Sequence, residues 1–323
     1  MFTRLLLFSV IFLALIYFCT SWQPTFRRSD FIKELRGPYY IVKPLNVSGA
    51  QYVPTHIQRP PYVFMDGVED APDAILIKNA TEIDAIAASC SIAREVMTAL
   101  KKFIRARKTT DQVDAYAHEL IIEKGAYPSP LMYNKYPKSI CTSVNNIIVH
   151  GIPDNRMLHN GDIIKVDVSV YYKGFHGDCS ETFHIGTVNE KGRRLVKVAR
   201  HLLKVAIAMC KPGVRFKDLG ERIEQEAKLK KVSLIPTVCG HGIGKFLHER
   251  PAIDHYANDD NIDHWRQMEP GMVFTIEPAI AEGRFEEKMF PDGWTLATKD
   301  NSRVAQFEHT IAITENGNRI LTL

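Results

Sequence analysis

Apolar residues recur at helical spacing in two matching stretches of the chain. From Thr81 onward, Ile83, Ile86, Ile92, Val96, Leu100 and Phe103 fall on one face of an amphipathic helix. Asp84, three residues after Thr81, is placed for a capping box. A second stripe begins near Thr110, carries Val113, Leu120 and Ile121, and ends near Gly125. The design then returns. Leu195, Val198, Leu202 and Leu203 mark a helix stopped at Lys211-Pro212-Gly213, and Leu219 and Ile223 mark its successor. Ile92-Ala-Arg and Val198-Ala-Arg are offset by 106 residues, and the same offset carries Val113 onto Leu219. A helix pair followed by strands, given twice, predicts two similar halves with pseudo-twofold symmetry. The fold class is then α+β, a curved antiparallel sheet drawn from both halves with the helices outside it.

Between the helices the chain turns to β-formers, and five polar residues interrupt them: Asp167, Asp178, His241, Glu277 and Glu308. Asp162-Ile-Ile-Lys-Val-Asp167-Val-Ser-Val-Tyr-Tyr reads as a strand, Lys173-Gly174 as a two-residue turn, and Phe175-His-Gly-Asp178 as the returning strand. That register pairs Tyr172 with Phe175 and Ser169 with Asp178. Asp167 and Asp178 then lie diagonally on one face, roughly 7–8 Å apart at the backbone, and a slip of one residue would separate them. Taken alone, the pair is equally two solvated acids on a hairpin. In Cys239-Gly-His241-Gly-Ile-Gly, glycines let the backbone approach closely and fix where the imidazole points, although such a loop also suits a packed histidine. In Phe274-Thr-Ile-Glu277-Pro278 the proline holds the glutamate extended. Glu308 is embedded in the β-rich run Ala305-Gln-Phe-Glu308-His-Thr-Ile, where an acid is most often at an edge. Four acids gathered in one core would repel, and burying them unpaired costs several kcal/mol each. Two divalent cations would cancel that charge and create a hydrolytic centre.

Composition adds limits. The chain has 323 residues, 45% hydrophobic and 24% charged, ordinary for a soluble globular protein and long enough for one large domain plus an extension. A net charge of +4 is too slight to argue for recognition of nucleic acid. The six cysteines show no CxxC spacing, so neither a zinc knuckle nor a disulfide framework is suggested. Residues 1–30 differ in kind. The stretch 5–22 carries no charge, with Arg4 before it and Arg27, Arg28, Lys33 and Arg36 after it. That is long enough to span or contact a membrane, and the positive flank would keep the following domain on the cytosolic side. A cleaved targeting peptide is the competing reading. Residues 31–74 are rich in proline and aromatics without periodicity and read as an extended arm; 75–323 are expected to form the domain that carries the hydrolytic centre.

The ordered set Val-Asp167-Val, His-Gly-Asp178, Gly-His241-Gly-Ile-Gly, Phe-Thr-Ile-Glu277-Pro and Gln-Phe-Glu308-His-Thr resembles the type 1 methionine aminopeptidases among the pita-bread metallopeptidases. The stretch from Tyr127-Pro-Ser-Pro to Val149-His150-Gly-Ile-Pro is similar to that family's substrate side. The resemblance implies the pita-bread fold and removal of N-terminal methionine from newly made proteins when the next residue is small. It implies two divalent ions, of Co, Mn, Fe or Zn: Asp167 chelating one, Asp178 and Glu308 bridging, His241 and Glu277 completing the second. By the same resemblance Glu277 is the general base, His150 and His248 donate hydrogen bonds to the substrate, and Tyr133, Tyr136, Cys141 and Trp294 build an apolar pocket. The implied partners are peptide and protein N-termini, including nascent chains on ribosomes, and the protein is expected to act as a monomer. Three departures bear on pocket shape: Leu247 where the family has Phe, Asn146 for a usual acid, and a longer segment at 258–267. A proline-directed aminopeptidase or dipeptidase sharing the metal ligands, and a non-catalytic binding protein on the same fold, are the alternatives. Short relatives without a zinc-binding extension point to the mitochondrion, with a cytosol-facing membrane anchor as second choice.

Overall fold

The structure, a computed structural model, describes residues 39–68 and 71–323. The apolar segment 5–22 lies outside them. Among the described residues no helix is long and apolar enough to cross a membrane, and the five cysteines there are all free.

Helix α1 spans Ala80–Phe103 and α2 spans Thr110–Glu123. The capping box of α1 sits two residues earlier than the sequence reading placed it. Asn79 accepts from the Glu82 N–H at 3.0 Å, and Glu82 accepts in return from the Asn79 N–H at 3.1 Å. Asn is the stronger N-cap, and a glutamate reaches back where Asp84 is too short; Asp84 instead faces Arg319 at 3.3 Å. In the second half α3 spans Glu190–Met209 and α4 spans Phe216–Leu229. Helices α2 and α4 are both 14 residues long and start and end at the same offset of 106, so the internal repeat is a repeat of structure.

The strands of the first half are β1 (Tyr127–Pro128), β2 (Cys141–Val144), β3 (Ile147–Val149), β4 (Ile163–Tyr172) and β5 (Phe175–His184). Those of the second are β6 (Ser233–Leu234), β7 (Cys239–Gly242), β8 (Glu249–Asp254), β9 (Val273–Ile276), β10 (Ala279–Ala281), β11 (Glu287–Met289), β12 (Leu296–Thr298), β13 (Val304–Gln306), β14 (Glu308–Thr314) and β15 (Gly317–Ile320). Nine of them form one antiparallel sheet in the order β1-β4-β5-β14-β9-β7-β8, with β2 added to β4 and β15 to β14. Helices α1 and α2 cover its first half through Val96, Leu100, Val113 and Ile121 against Val166 and Val168. Helices α3 and α4 cover the second through Leu195, Leu202, Phe216 and Leu219 against Phe274 and Ile311. Each such side chain stabilises by about 1.5–3 kcal/mol when fully buried. This is the pita-bread arrangement, and its middle is where β5, β14, β9 and β7 lie side by side.

The described part of the arm is tied to this body at several points. Val53 and Ile57 are buried against Tyr127, Leu131 and Tyr171, and the buried Tyr62 donates its hydroxyl to the Ser129 carbonyl. Upstream, the Asn146 amide clasps Val42, accepting from its N–H at 2.7 Å and donating to its carbonyl at 3.3 Å. An acid at this position would accept one of these bonds and could not donate the other, which gives Asn146 a role in holding the arm.

Candidate metal centre

The hairpin β4–β5 has the register its sequence predicts. Lys173 and Gly174 both have positive φ, 50° and 91°, as a two-residue hairpin turn requires. Tyr172 pairs with Phe175 and Ser169 with Asp178. Asp167 and Asp178 therefore share a face, and the Ser169 hydroxyl donates to Asp178 Oδ1 at 2.9 Å. Glu308 opens β14 and pairs with Ser180 of β5. The β-rich run read as one strand is two, because β13 turns off at Phe307 into a small sheet with β10 and β6. His241 comes from β7. A Cβ on Gly240 would lie 2.2 Å from the Thr275 carbonyl oxygen, and one on Gly242 would lie 2.2 Å from that of Arg250. Both flanking glycines are needed for neighbouring strands to close on the histidine. Glu277 follows β9, with its Oε1 3.6 Å from His241 Nε2.

Asp178, His241 and Glu308 each offer one ligand atom, all within 4.8 Å of one another. Asp167 and Glu277 flank them. Burial and repulsion from Asp178 raise Asp167 well above the usual carboxylate range. Burial, then Asp178, Glu277 and Asp167, do the same to Glu308. Burial and Asp178 push Glu277 up to about 8, against hydrogen bonds from Thr275 and Gln306. Asp167 Oδ1 is buried with no hydrogen-bond partner. Arg250 is the one Lys or Arg among the cleft-lining residues, and it is engaged with Asp263 and Asp73. Burial lowers the His241 pKa below its ordinary value, and its Nδ1 lies 3.0 Å from the Gly242 carbonyl. A ring that donates there through Nδ1–H presents a bare Nε2 lone pair to the acids. Several acids short of positive charge, an orphaned carboxylate oxygen and a neutral imidazole suit divalent cations.

The electrostatics have a measurable consequence for chelated protein. The Glu277 carboxyl holds its proton more tightly when folded, at about 8, than at its ordinary 4.5. A raised folded pKa contributes stability that is complete below the unfolded value and is lost as pH rises through the folded one. Chelated protein is therefore expected to melt at progressively lower temperature as pH rises from the ordinary glutamate range through 8. Metal-loaded protein should show a much flatter dependence. Parallel melting curves for the two forms across that window would contradict this.

Eleven side chains nominated from the sequence line one cleft of about 600 Å³: the five above with Tyr133, Tyr136, Cys141, His150, His248 and Trp294. Tyr136 and Trp294 meet edge to face at 5.2 Å, and His150 meets Trp294 likewise at 5.8 Å. Leu247 is buried in the same wall. His150 has φ 56°, a left-handed conformation uncommon outside glycine and favoured at functional sites. His248 meets His241 at 4.4 Å between ring centres, and its Nδ1 lies 2.6 Å from the Tyr133 hydroxyl. Both histidines open to the cleft. Even so, burial by the surrounding protein, and after it the closeness of the His241 ring, lower His150 to about 4 and hold His248 well below its ordinary value. They are neutral at pH 7, and each has an N–H to donate.

Several supporting residues carried no signal in the sequence. Thr275 Oγ1 accepts from the His241 N–H at 3.0 Å and donates to Glu277 at 2.9 Å. The Gln306 amide donates to the Glu277 carboxylate at 3.1 Å and to its carbonyl at 3.0 Å. The His255 ring accepts from the Glu277 N–H at 3.2 Å. Lys78 and Glu249 form a buried ion pair, and Glu249 accepts from the Phe246 N–H at 3.2 Å, which fixes the turn that presents His248. The longer segment 258–267 stays out of the cleft; its buried Asp263 anchors Arg250 from outside.

Comparison with known proteins agrees with this geometry. The model of metallopeptidase family M24 matches residues 84–315. The curated protein named methionine aminopeptidase 1D, mitochondrial, of Homo sapiens is 48% identical over 282 residues, covering 87% of this chain and 83% of its own. The crystal structure of methionine aminopeptidase from Rickettsia prowazekii superposes with a TM-score of 0.75 at 35% identity, covering 77% of this chain and all (100%) of that one. A prolidase from Pyrococcus furiosus superposes with a TM-score of 0.61 at 24% identity, over 77% of this chain and 66% of its own, a likeness of fold alone. The chain belongs to metallopeptidase family M24 and, within it, to the methionine aminopeptidase 1 group.

Proposed function

We propose that this cleft releases methionine from peptide and protein N-termini whose second residue is small, with Asp167, Asp178, His241, Glu277 and Glu308 holding two divalent ions of Mn, Co, Fe or Zn. The observation that carries the reading is the convergence of all eleven side chains on one cleft. When bound, such ions polarise a carbonyl and lower the pKa of water. Glu277, whose carboxyl would give up its proton once cations offset the repulsion from Asp178, would take the proton of the attacking water and return it to the leaving amine. Thr275 and Gln306 hold its two carboxylate oxygens in place for that exchange. His150 and His248 donate to the scissile amide and to the oxygen on which charge develops. With the Tyr133 hydroxyl donating to its Nδ1, His248 keeps Nε2–H for the substrate. Tyr133, Tyr136, Cys141 and Trp294, with Leu247 in the same lining, form a slot suited to a flexible thioether.

The name of the human relative supports a mitochondrial enzyme, which would act there on newly made proteins. Methionine release from Met-Ala-Ser, compared with hydrolysis of Ala-Pro peptides at equal metal, tests the specificity. Met-Ala-Ser is expected to be cleaved and Ala-Pro left intact. Preference for Ala-Pro would move the chain to the proline-directed branch, and no cleavage of either by metal-loaded protein would make it a binding protein.

A further inference from the structure

A groove of about 590 Å³ runs along α3, with Lys101 of α1 and Phe183 and His184 of β5 on its other side. Arg193, Lys197, Arg200 and Lys204 line it at positions i, i+4, i+7 and i+11. They form one face of the helix with about one cation per turn over ~16 Å. All four, and Lys101, are exposed. No aspartate or glutamate lines the groove. At its margin Glu226 meets His201 at 3.1 Å and Arg222 at 2.7 Å. The positive field is felt locally: after burial, Arg193 and Arg200 are the main groups lowering the pKa of His184. The small net charge of the whole chain conceals this segregation, because the acids are elsewhere and the helical period spreads the cations through the sequence.

We propose that this groove is a docking surface for the phosphate backbone of RNA, bound without sequence preference. A row of cations at the helical repeat, with no carboxylate among them, matches a chain of regularly spaced anions. Phe183, His184 and His201 add rings on which bases can stack. The surface does not suit a bilayer. It is concave, and among the described residues none of the large exposed apolar side chains lines it, whereas a membrane-docking face adds apolar insertion to its charge.

The test uses the full-length chain and a labelled, mixed-sequence single-stranded RNA, with binding followed by fluorescence anisotropy over a salt series. Lys101→Glu, Lys197→Glu and Lys204→Glu are combined in one variant, and a second carries Gln at the same positions. Arg200 is left intact because its guanidinium packs 4.6 Å over the Phe307 ring, next to Glu308. Melting temperature and methionine release, expected unchanged, confirm the fold of both variants. The native chain should bind with a dissociation constant of ~10⁻⁴–10⁻⁶ M at physiological salt, with a falling log–log salt slope. The charge-reversed variant should bind at least about tenfold more weakly with a slope shallower by ~2, and the Gln variant should fall between. A uridine-only RNA should bind within a few-fold of the mixed one. Absence of RNA binding, or binding unchanged by the reversal, overturns the proposal. So does loss of binding to anionic vesicles or to polyglutamate on reversal when no RNA is bound.

Discussion

Asp178→Asn and Glu308→Ala are each expected to reduce methionine release by about a thousandfold or more, the several kcal/mol that metal ions contribute to such a reaction. Both residues belong to the group whose ligand atoms lie within 4.8 Å of one another. They sit on adjacent strands of the central sheet. Asp178→Asn keeps the shape and an acceptor for the Ser169 hydroxyl, so the sheet should survive while one negative charge is lost. Elemental analysis of folded protein should show the metal content collapsing with the activity. Full metal content in either variant, or activity within tenfold of the native chain, would contradict their place at the centre.

His150→Ala and His248→Ala are expected to lose about 10²–10³ in kcat with metal content unchanged, the range for removing one donor to a developing oxyanion. Neither ring belongs to the carboxylate cluster. Burial keeps both neutral at pH 7, the state in which each donates one hydrogen bond and carries no charge. The Tyr133 hydroxyl beside His248 Nδ1 makes Tyr133→Phe a milder probe of the same donor. Equal loss of metal in the histidine variants and in Asp178→Asn would dissolve the division between residues that hold ions and residues that act on substrate.

The parts of this site that were legible in the sequence are those set by local rules. Lys173-Gly174 admits a two-residue turn, that turn fixes the register, and the period of two then puts Asp167 and Asp178 on one face. The offset of 106 exposed the repeat because both helix pairs bury the same stripe. What stayed hidden depends on distance in space. Lys78 and Glu249 are 171 residues apart, and neither carries a local sign of its partner. Thr275, Gln306 and His255 are ordinary strand and loop residues until the sheet brings them to Glu277. The misplaced start of α1 has a local cause: Thr81 and Asp84 mimic a capping box, but Asn79 and Glu82 make the better one. Phe307 breaks a run that alternates like a single strand, because its ring packs into the second-half core while the strands on either side join different sheets. The basic face of α3 was invisible to a net-charge argument, since its cations align only when the helix forms.

The most direct measurement is methionine release from Met-Ala-Ser by the native chain after chelation and again after reloading with Mn or Co, with metal content measured on the same samples. The account predicts no release from protein shown to be metal-free and full recovery on reloading. Undiminished release from the metal-free protein, or none from the reloaded one, would contradict it.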